Sequence, residues 1–195
     1  MMIANDAELA TAIDEVGGRL QEISDYLSAN PSATARLRFP RGYLRTASYF
    51  RGHLPFIADG NLRRNLSYAF MLYDVFKWLL TRTDLAGTAR DMVLKNAIVL
   101  IGSIVESLAR GGTSGIIAAR HSYKERTRRM VASGIIAADL KTELDWLWDV
   151  RAGIHIYLMA DSEYDHYRIE HFDRARLAAG KLHDALAAYH APRAS

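Results

Sequence analysis

Apolar side chains recur every three or four residues along most of this chain, which is the spacing of one face of an α-helix. The first such segment, residues 5–28, ends where Asn30 and Pro31 stop a helix. Gly17 and Gly18 weaken its middle, because glycine in a helix interior costs roughly 1 kcal/mol relative to alanine. The stripe consists of Leu9, Ile13, Val16, Leu20, Ile23 and Leu27. This segment predicts an amphipathic first helix.

The same periodicity returns after residue 60 and continues to the end of the chain. No segment there alternates between apolar and polar residues as a strand does. We therefore expect an all-α fold, a bundle of five or six helices with no sheet. Beyond the first helix, the predicted helices are residues 61–81, 88–109 (ended by Gly111 and Gly112), 122–134, 139–157 and a last one reaching about Tyr189.

Residues 30–60 break this pattern, because three of the four prolines fall there and only short helical turns are expected, near residues 43–50. In nucleic-acid binding, single-stranded bases stack on aromatic rings and phosphates need cations, so the segment is a candidate RNA-binding surface. The alternative is a loop that its aromatic rings pin to the core. The arginines are Arg36, Arg38, Arg41, Arg45 and Arg51, and the aromatic residues are Phe39, Tyr43, Tyr49, Phe50 and Phe56.

The length of 195 residues suits one domain or one domain with an appendage. The change of pattern at residue 60 predicts two parts. Residues 1–60 would form the first helix plus a connector rich in proline, arginine and aromatic residues. Residues 61–190 would form the helical bundle.

Several classes of protein and site are excluded or disfavoured by composition. The chain has no cysteine, so disulfides and thiolate metal sites are ruled out. Its first residues lack a basic start with an apolar run, so we expect no secretory signal and a cytoplasmic protein. The longest strongly apolar run, residues 97–105, is shorter than the roughly 18 residues of a membrane span. We expect no membrane association.

No metal or other cofactor is predicted. Asp161, Asp165, His166 and His171 are close in sequence but do not follow a spacing typical of metal ligands. No phosphate-binding glycine loop is expected either, since the glycines after Arg110 follow a helix rather than a strand.

Charge is unevenly distributed along the chain, although the formal net charge is only +3. The arginines of the connector form one basic group, and residues 110–129 form a second, in which Glu125 is the only acid. A polyanion could bind these segments. The alternative is a solvated surface with ion pairs inside the molecule.

The most distinctive stretch is residues 144–157, LDWLWDVRAGIHIY. Arg151 and His155 are four residues apart and share one face of the predicted helix. Histidine transfers protons near neutral pH, and arginine binds phosphate and stabilises charge developing on it. The pair therefore fits metal-independent cleavage of RNA, with Tyr157 offering a further hydroxyl. Gly153 between them indicates a close approach by a substrate or a second helix. The structural alternative is that Arg151 pairs with Asp149 or Glu106.

The passage GIIAADLKTELDWLWDVRAGIHIY resembles the signature helix of the HEPN superfamily, small all-α domains often found as toxins or in antiviral defence. Their motif is Arg, a polar residue, a few residues and His, and some toxins continue His-x-Tyr, as His155-Ile156-Tyr157 does here. The preceding order also resembles the family, with an apolar helix carrying Glu106 and then a basic connector. The resemblance covers about residues 61–189.

The resemblance implies a metal-independent endoribonuclease of the toxin–antitoxin or defence type. It implies a homodimer in which two Arg-x-x-x-His motifs face each other across a composite site, with RNA as substrate and an antitoxin or other protein as a further partner. Arg151 would bind phosphate and His155 would act as acid and base. The supporting groups would be Tyr157, Glu106 and Asp149. Outside the resemblance, the connector arginines Arg36, Arg38, Arg41, Arg45 and Arg51 would guide RNA.

Two features depart from the typical motif. Three residues separate Arg151 from His155, where the family usually has four to six, and Ala152 stands where the family usually has a polar residue. Ala152 favours a second hypothesis, a non-catalytic HEPN-like module that binds nucleotide, RNA or a protein partner.

Overall fold

The computed structural model describes residues 2–37, 42–152 and 167–192, and these residues form helices without any strand. The predicted all-α fold is confirmed. Within the described ranges there are seven helices rather than five or six, because the connector contains a short helix in addition to the predicted ones. The helices are α1 Asp6–Ala29, α2 Ala47–Gly52, α3 Gly60–Arg82, α4 Gly87–Gly112, α5 Tyr123–Ala132, α6 Ala138–Ala152 and α7 Ile169–His190.

The chain divides into two compact units, Met1–Pro40 and Arg41–Ser195. The first unit contains α1, which the Asn5 side chain caps by accepting a hydrogen bond from the backbone N–H of Glu8. The helix continues through Gly17 and Gly18, and none of its residues is buried. The described residues after Pro40 up to residue 60 belong to the second unit, and the domain division at residue 60 stays a prediction.

The second unit is built around α4, which contacts α3, α5, α6 and α7. Among the described helices, α4 is the one whose length and composition would suffice for a membrane crossing, and its most apolar window has a mean hydropathy of 1.7. However, 56% of that window is buried inside the bundle. A central core position therefore accounts for its apolar composition. Its buried side chains include Leu94, Ile98, Ile101, Ile104, Val105 and Leu108.

The two glycines at the end of α4 act through packing. Both lie in the last turn of the helix, which ends at Gly112 rather than at the predicted residue 109. A Cβ on Gly111 would lie 2.6 Å from Leu62 Cδ2, and one on Gly112 would lie 2.8 Å from Leu186 Cδ1. Glycine at these positions lets α3 and α7 pack directly on the α4 backbone.

The part of the connector that belongs to the second unit is fixed to the bundle by polar and aromatic residues. Arg45 donates to Asp74 of α3 from its backbone N–H at 3.0 Å, from Nε at 3.0 Å and from Nη2 at 2.5 Å. Asp74 is only 4% exposed. Phe50 and Phe56 are buried, and the Phe50 ring stacks on Phe70. Phe50 and Phe56 therefore pin this part of the connector to the core, whereas Tyr43 and Tyr49 are exposed.

The described part of α6 reaches Ala152, where the sequence predicted a helix through residue 157. It packs against α4, α5 and α7, and it buries Leu140, Leu144 and Leu147. This packing places Arg151, one residue before the end of the described helix, next to the middle of α4.

Candidate functional site

Arg151 of α6 forms an ion pair with Glu106 of α4. Its Nη1 donates to Glu106 Oε2 at 2.6 Å. The two side chains keep 30% and 34% of their accessible surface, so the pair is half-buried and open to solutes on one side. Among the described residues, Glu106 is therefore the acidic partner that holds Arg151.

Gly102 makes room for Arg151 on the surface of α4. A Cβ on Gly102 would lie 3.2 Å from both Cβ and Cδ of Arg151. Gly102 and Glu106 are four residues apart and share one face of α4. The stem of Arg151 thus lies across Gly102, and its guanidinium reaches Glu106 one turn further along. A side chain at position 102 would crowd the stem and shift the guanidinium.

An aromatic stack supports Arg151. The guanidinium carbon lies 5.1 Å from the ring centroid of Trp148, within the range of a cation–π contact. Trp148 stacks in turn on Tyr123 of α5, with ring centroids 4.6 Å apart and planes at 9°. The Tyr123 hydroxyl donates to the Leu144 carbonyl at 3.3 Å. Burial raises the pKa of Tyr123, so its hydroxyl stays protonated and remains a donor.

A cleft of about 50 Å³ opens beside Glu106, lined also by Arg110, Ala119, His121, Tyr123 and Arg126. It adjoins a wider concavity of about 410 Å³, formed by residues 114–119 together with Arg110 and Arg126. The half-buried carboxylate therefore faces a cleft that contains cations and an imidazole.

His121 is the imidazole of this cleft. Desolvation and the positive charge of Arg129 lower the pKa of His121 from its ordinary value of 6.5. The ring is therefore neutral at pH 7 and able to accept a proton.

Asp149, predicted as a supporting group, is held by α5. Lys124 Nζ lies 2.6 Å from Asp149 Oδ1, and both side chains are more than half exposed. This surface ion pair links α5 to α6 and contributes little to stability. Asp149 thus has its own cationic partner.

The arginines predicted to guide RNA fall in different places. Arg36 is exposed in the first unit. Arg45 is held by the buried carboxylate of Asp74, and Arg51 Nη2 donates to the Ser48 hydroxyl at 2.8 Å. Arg38 and Arg41 lie outside the described residues. The role of this segment in RNA binding stays a prediction.

Several residues of the predicted site lie outside the described residues, namely His155, Tyr157 and Gly153. Their roles in the site stay predictions. Asp161, Asp165 and His166, for which no metal site was expected, also lie outside the described residues. Within the ranges that the structure describes, no group of three or more His, Cys, Asp or Glu side chains could hold a metal ion.

A second concavity, of about 240 Å³, lies between α2, α3, α4 and α7. Its wall is mostly apolar and includes Phe50, Leu54, Phe70 and Ile104. His183 Nε2 donates to the His53 carbonyl at 2.7 Å and fixes α7 to the connector at this place.

Sequence reasoning missed Gly102, Trp148, Tyr123 and Arg126 as neighbours of the predicted site. Gly102 carried a usable signal, because it is a helix-interior glycine four residues before Glu106, inside the most apolar run of the chain. The positions of Tyr123 and Arg126 depend on how α5 packs against α6 and α4, which periodicity does not specify.

No protein-family model, curated protein or solved structure matches the chain.

Proposed function

We propose that this chain is a metal-independent endoribonuclease of the HEPN type, a component of a toxin–antitoxin or defence system that acts as a homodimer. The observation that carries the proposal is the half-buried Arg151–Glu106 pair, which fixes Arg151 at the edge of a cleft with further cations. On the sequence, His155 and Tyr157 follow within two turns of Arg151. A site for RNA cleavage needs such a positioned cation beside an imidazole.

In the proposed reaction, the ribose 2′-hydroxyl of RNA attacks the adjacent phosphorus atom. His155 accepts the 2′ proton or donates a proton to the departing 5′ oxygen, and Arg151 neutralises the charge that develops on the phosphate. Glu106 is a positioning residue, since its contact with Arg151 keeps the guanidinium from swinging into solvent. The products are a 2′,3′-cyclic phosphate and a free 5′-hydroxyl.

Acid–base catalysis of this kind uses two proton-transfer groups. A homodimer that brings two motifs together would supply two copies of His155. His121 is a further imidazole in the cleft beside Glu106, and its lowered pKa keeps the ring neutral at pH 7.

The test is cleavage of total RNA in EDTA by the purified full chain and by Arg151→Ala and His155→Ala. We expect either variant to lower the cleavage rate about 100-fold or more, the range typical for loss of one transition-state donor or one acid–base group. Arg19→Ala is the matched control, because it removes the same charge from a side chain that is 78% exposed in α1. Circular dichroism and urea unfolding verify that each variant is folded.

Cleavage at the wild-type rate by folded Arg151→Ala and His155→Ala would overturn the assignment, since the site would then lie elsewhere. A loss of activity in Arg19→Ala as large as in Arg151→Ala would attribute the effect to net charge alone.

The second candidate is a HEPN-like module that binds nucleotide, RNA or a protein partner without cleaving it. The specific observation in its favour is that Glu106 already compensates the charge of Arg151, while Ala152 replaces the usual polar residue of the motif. RNA binding without cleavage, by wild-type protein in EDTA and equally in magnesium, would select this candidate.

A further inference from the structure

Arg126 of α5 is a buried cation for which the described part of the chain supplies no carboxylate. Only 3% of the surface of Arg126 is exposed. Nη1 donates to the Thr113 hydroxyl at 2.7 Å and Nη2 donates to the Ala118 carbonyl at 3.3 Å. Both acceptors are neutral, and a guanidinium has five N–H donors. Three donors of a buried charge are thus left for another partner.

Three other arginines of the second unit each have an acidic partner on another element. Arg45 pairs with Asp74, Arg151 with Glu106 and Arg174 with Glu143. Burying a charge without a counterion is costly, and proteins normally pair such charges or bind an ion. Arg126 differs from these three arginines, because it is more deeply buried and no carboxylate among the described residues pairs with it.

Arg110 adds a second uncompensated cation at the same place. It is exposed at the end of α4 and makes no ion pair with any residue in the described ranges. Burial and, to a smaller extent, the positive charge of Arg110 lower the pKa of Arg126. Two cations that repel each other across one cleft are stabilised by an anion between them.

The two arginines share a cleft large enough for a ligand. The concavity of about 410 Å³ is lined by Arg110, Arg126 and residues 114–119 of the loop between α4 and α5. Gly115 has a positive φ of 80° and turns this loop at the rim of the concavity. The smaller cleft that includes Glu106 shares Arg110, Ala119 and Arg126 with it, so the cations lie next to the Arg151–Glu106 pair.

We propose that Arg110 and Arg126, together with residues 114–119 of the α4–α5 loop, form a phosphate-binding site. Phosphate matches the planar fork of a guanidinium, which binds two of its oxygens at once, and its double charge compensates two arginines. The cleft has room for the organic part of a phosphate ester, which makes either a small phosphorylated compound or the backbone of RNA the source of the phosphate. The site does not depend on ribonuclease activity.

The first experiment measures thermal unfolding of the full chain with inorganic phosphate and with sodium chloride at equal ionic strength. Phosphate at about ten times its dissociation constant raises the Tm by roughly 3–6 °C, and chloride does not. Arg110→Ala removes the phosphate effect. Arg128→Ala, on α5 but exposed and paired with Glu125, keeps it.

Arg126→Lys is the second variant, because it keeps the charge and loses the two-oxygen geometry, and we expect it to weaken phosphate binding at least tenfold. Equal stabilisation of wild type by phosphate and chloride would overturn the proposal. So would a phosphate effect that persists unchanged in Arg110→Ala, which removes an exposed side chain and leaves the fold intact.

The second experiment identifies the source of the phosphate by the salt dependence of binding to a short single-stranded RNA. If the site holds the RNA backbone, Arg110→Ala lowers the slope of log K against log salt by about 0.7, the value for one single-strand phosphate contact. If the slope stays the same while the stabilisation by inorganic phosphate is lost, the site takes a small phosphate compound. Failure of RNA cleavage leaves both results unaffected.

Discussion

Single glycines decide how closely the helices of this bundle approach each other. Gly102 admits the stem of Arg151, Gly111 admits Leu62 and Ile57, and Gly112 admits Leu186. All three lie in α4, the central helix. Their value lies in the missing Cβ, since each remains in helical conformation without a positive φ.

Gly112→Ala is expected to destabilise the protein by about 1–3 kcal/mol, the usual cost of overpacking a core. The new Cβ would lie 2.8 and 2.9 Å from the two Cδ atoms of Leu186, a side chain with no exposed surface in which to move. The free energy of unfolding in urea measures the effect.

Gly180→Ala is the control for that substitution. Gly180 also lies in a helix of the second unit, but nothing lies within 4 Å of a Cβ built there. Only helix propensity then changes, and the free energy of unfolding of the variant should rise by about 0.5–1 kcal/mol. A similar loss of stability in both variants would contradict the packing role assigned to Gly112.

At the residue scale, the sequence named two residues that the fold brings into contact but did not specify their geometry. Arg151 and Glu106 were both named, and Glu106 was one of two partners considered for Arg151. The choice between Glu106 and Asp149 could not be made from sequence, because it depends on which face of α6 packs against α4. Asp149 is not the partner of Arg151, because it forms an ion pair with Lys124 of α5.

The helices themselves were largely readable from periodicity. The predicted helix at residues 61–81 is α3, Gly60–Arg82, and the one at residues 88–109 is α4, Gly87–Gly112. Wide apolar stripes and cap residues such as Asp59, which accepts from the N–H groups of Asn61 and Leu62, fix these limits. α2 was expected only as short turns, because six residues are too few to show a period.

The first helix shows what periodicity does not determine. Its stripe predicts a helix correctly, yet Leu9, Ile13 and Val16 are exposed and no residue of α1 is buried. An amphipathic pattern specifies which face is apolar without specifying what covers it.

Leu20→Ala in α1 should therefore change the free energy of unfolding by no more than about 0.5 kcal/mol, as for other exposed positions. Leu182→Ala in α7 is the matched substitution, because Leu182 is fully buried where Leu20 is 42% exposed. Leu182→Ala should lower the free energy of unfolding by about 2–5 kcal/mol. Urea unfolding followed by tryptophan fluorescence measures the second unit, where all three tryptophans lie, and circular dichroism measures the helical content of α1 as well. A large loss in Leu20→Ala would mean that α1 is covered in solution.

For the whole molecule, charge compensation distinguishes two kinds of basic surface. The connector arginine Arg45 is bound by Asp74, so part of the basic group in the connector belongs to the fold. Arg110 and Arg126 of the second group keep uncompensated charge beside a cleft. Counting charges along the sequence treats both groups alike, because it does not show which cations find acids after folding.

The proposed dimer leads to a prediction about mixed subunits. Sedimentation of the full chain should give twice the monomer mass at concentrations where RNA is cleaved. Mixing inactive Arg151→Ala with inactive His155→Ala should restore part of the activity, because a mixed dimer retains one Arg151 and one His155 in the composite site. A monomeric active species, or no recovery in mixtures whose subunits exchange, would argue against a shared site.

The stacking of Arg151 on Trp148 has a spectroscopic consequence. A cation 5.1 Å from the indole centroid perturbs the excited state of that ring. Any ligand that draws the guanidinium away from Trp148, or places its own charge there, alters the emission of this tryptophan. With Trp78 and Trp146 replaced by phenylalanine, the remaining tryptophan, Trp148, lies against Arg151, the residue proposed to bind phosphate. Its emission would then report ligand binding at the proposed site without a label and without knowledge of the substrate.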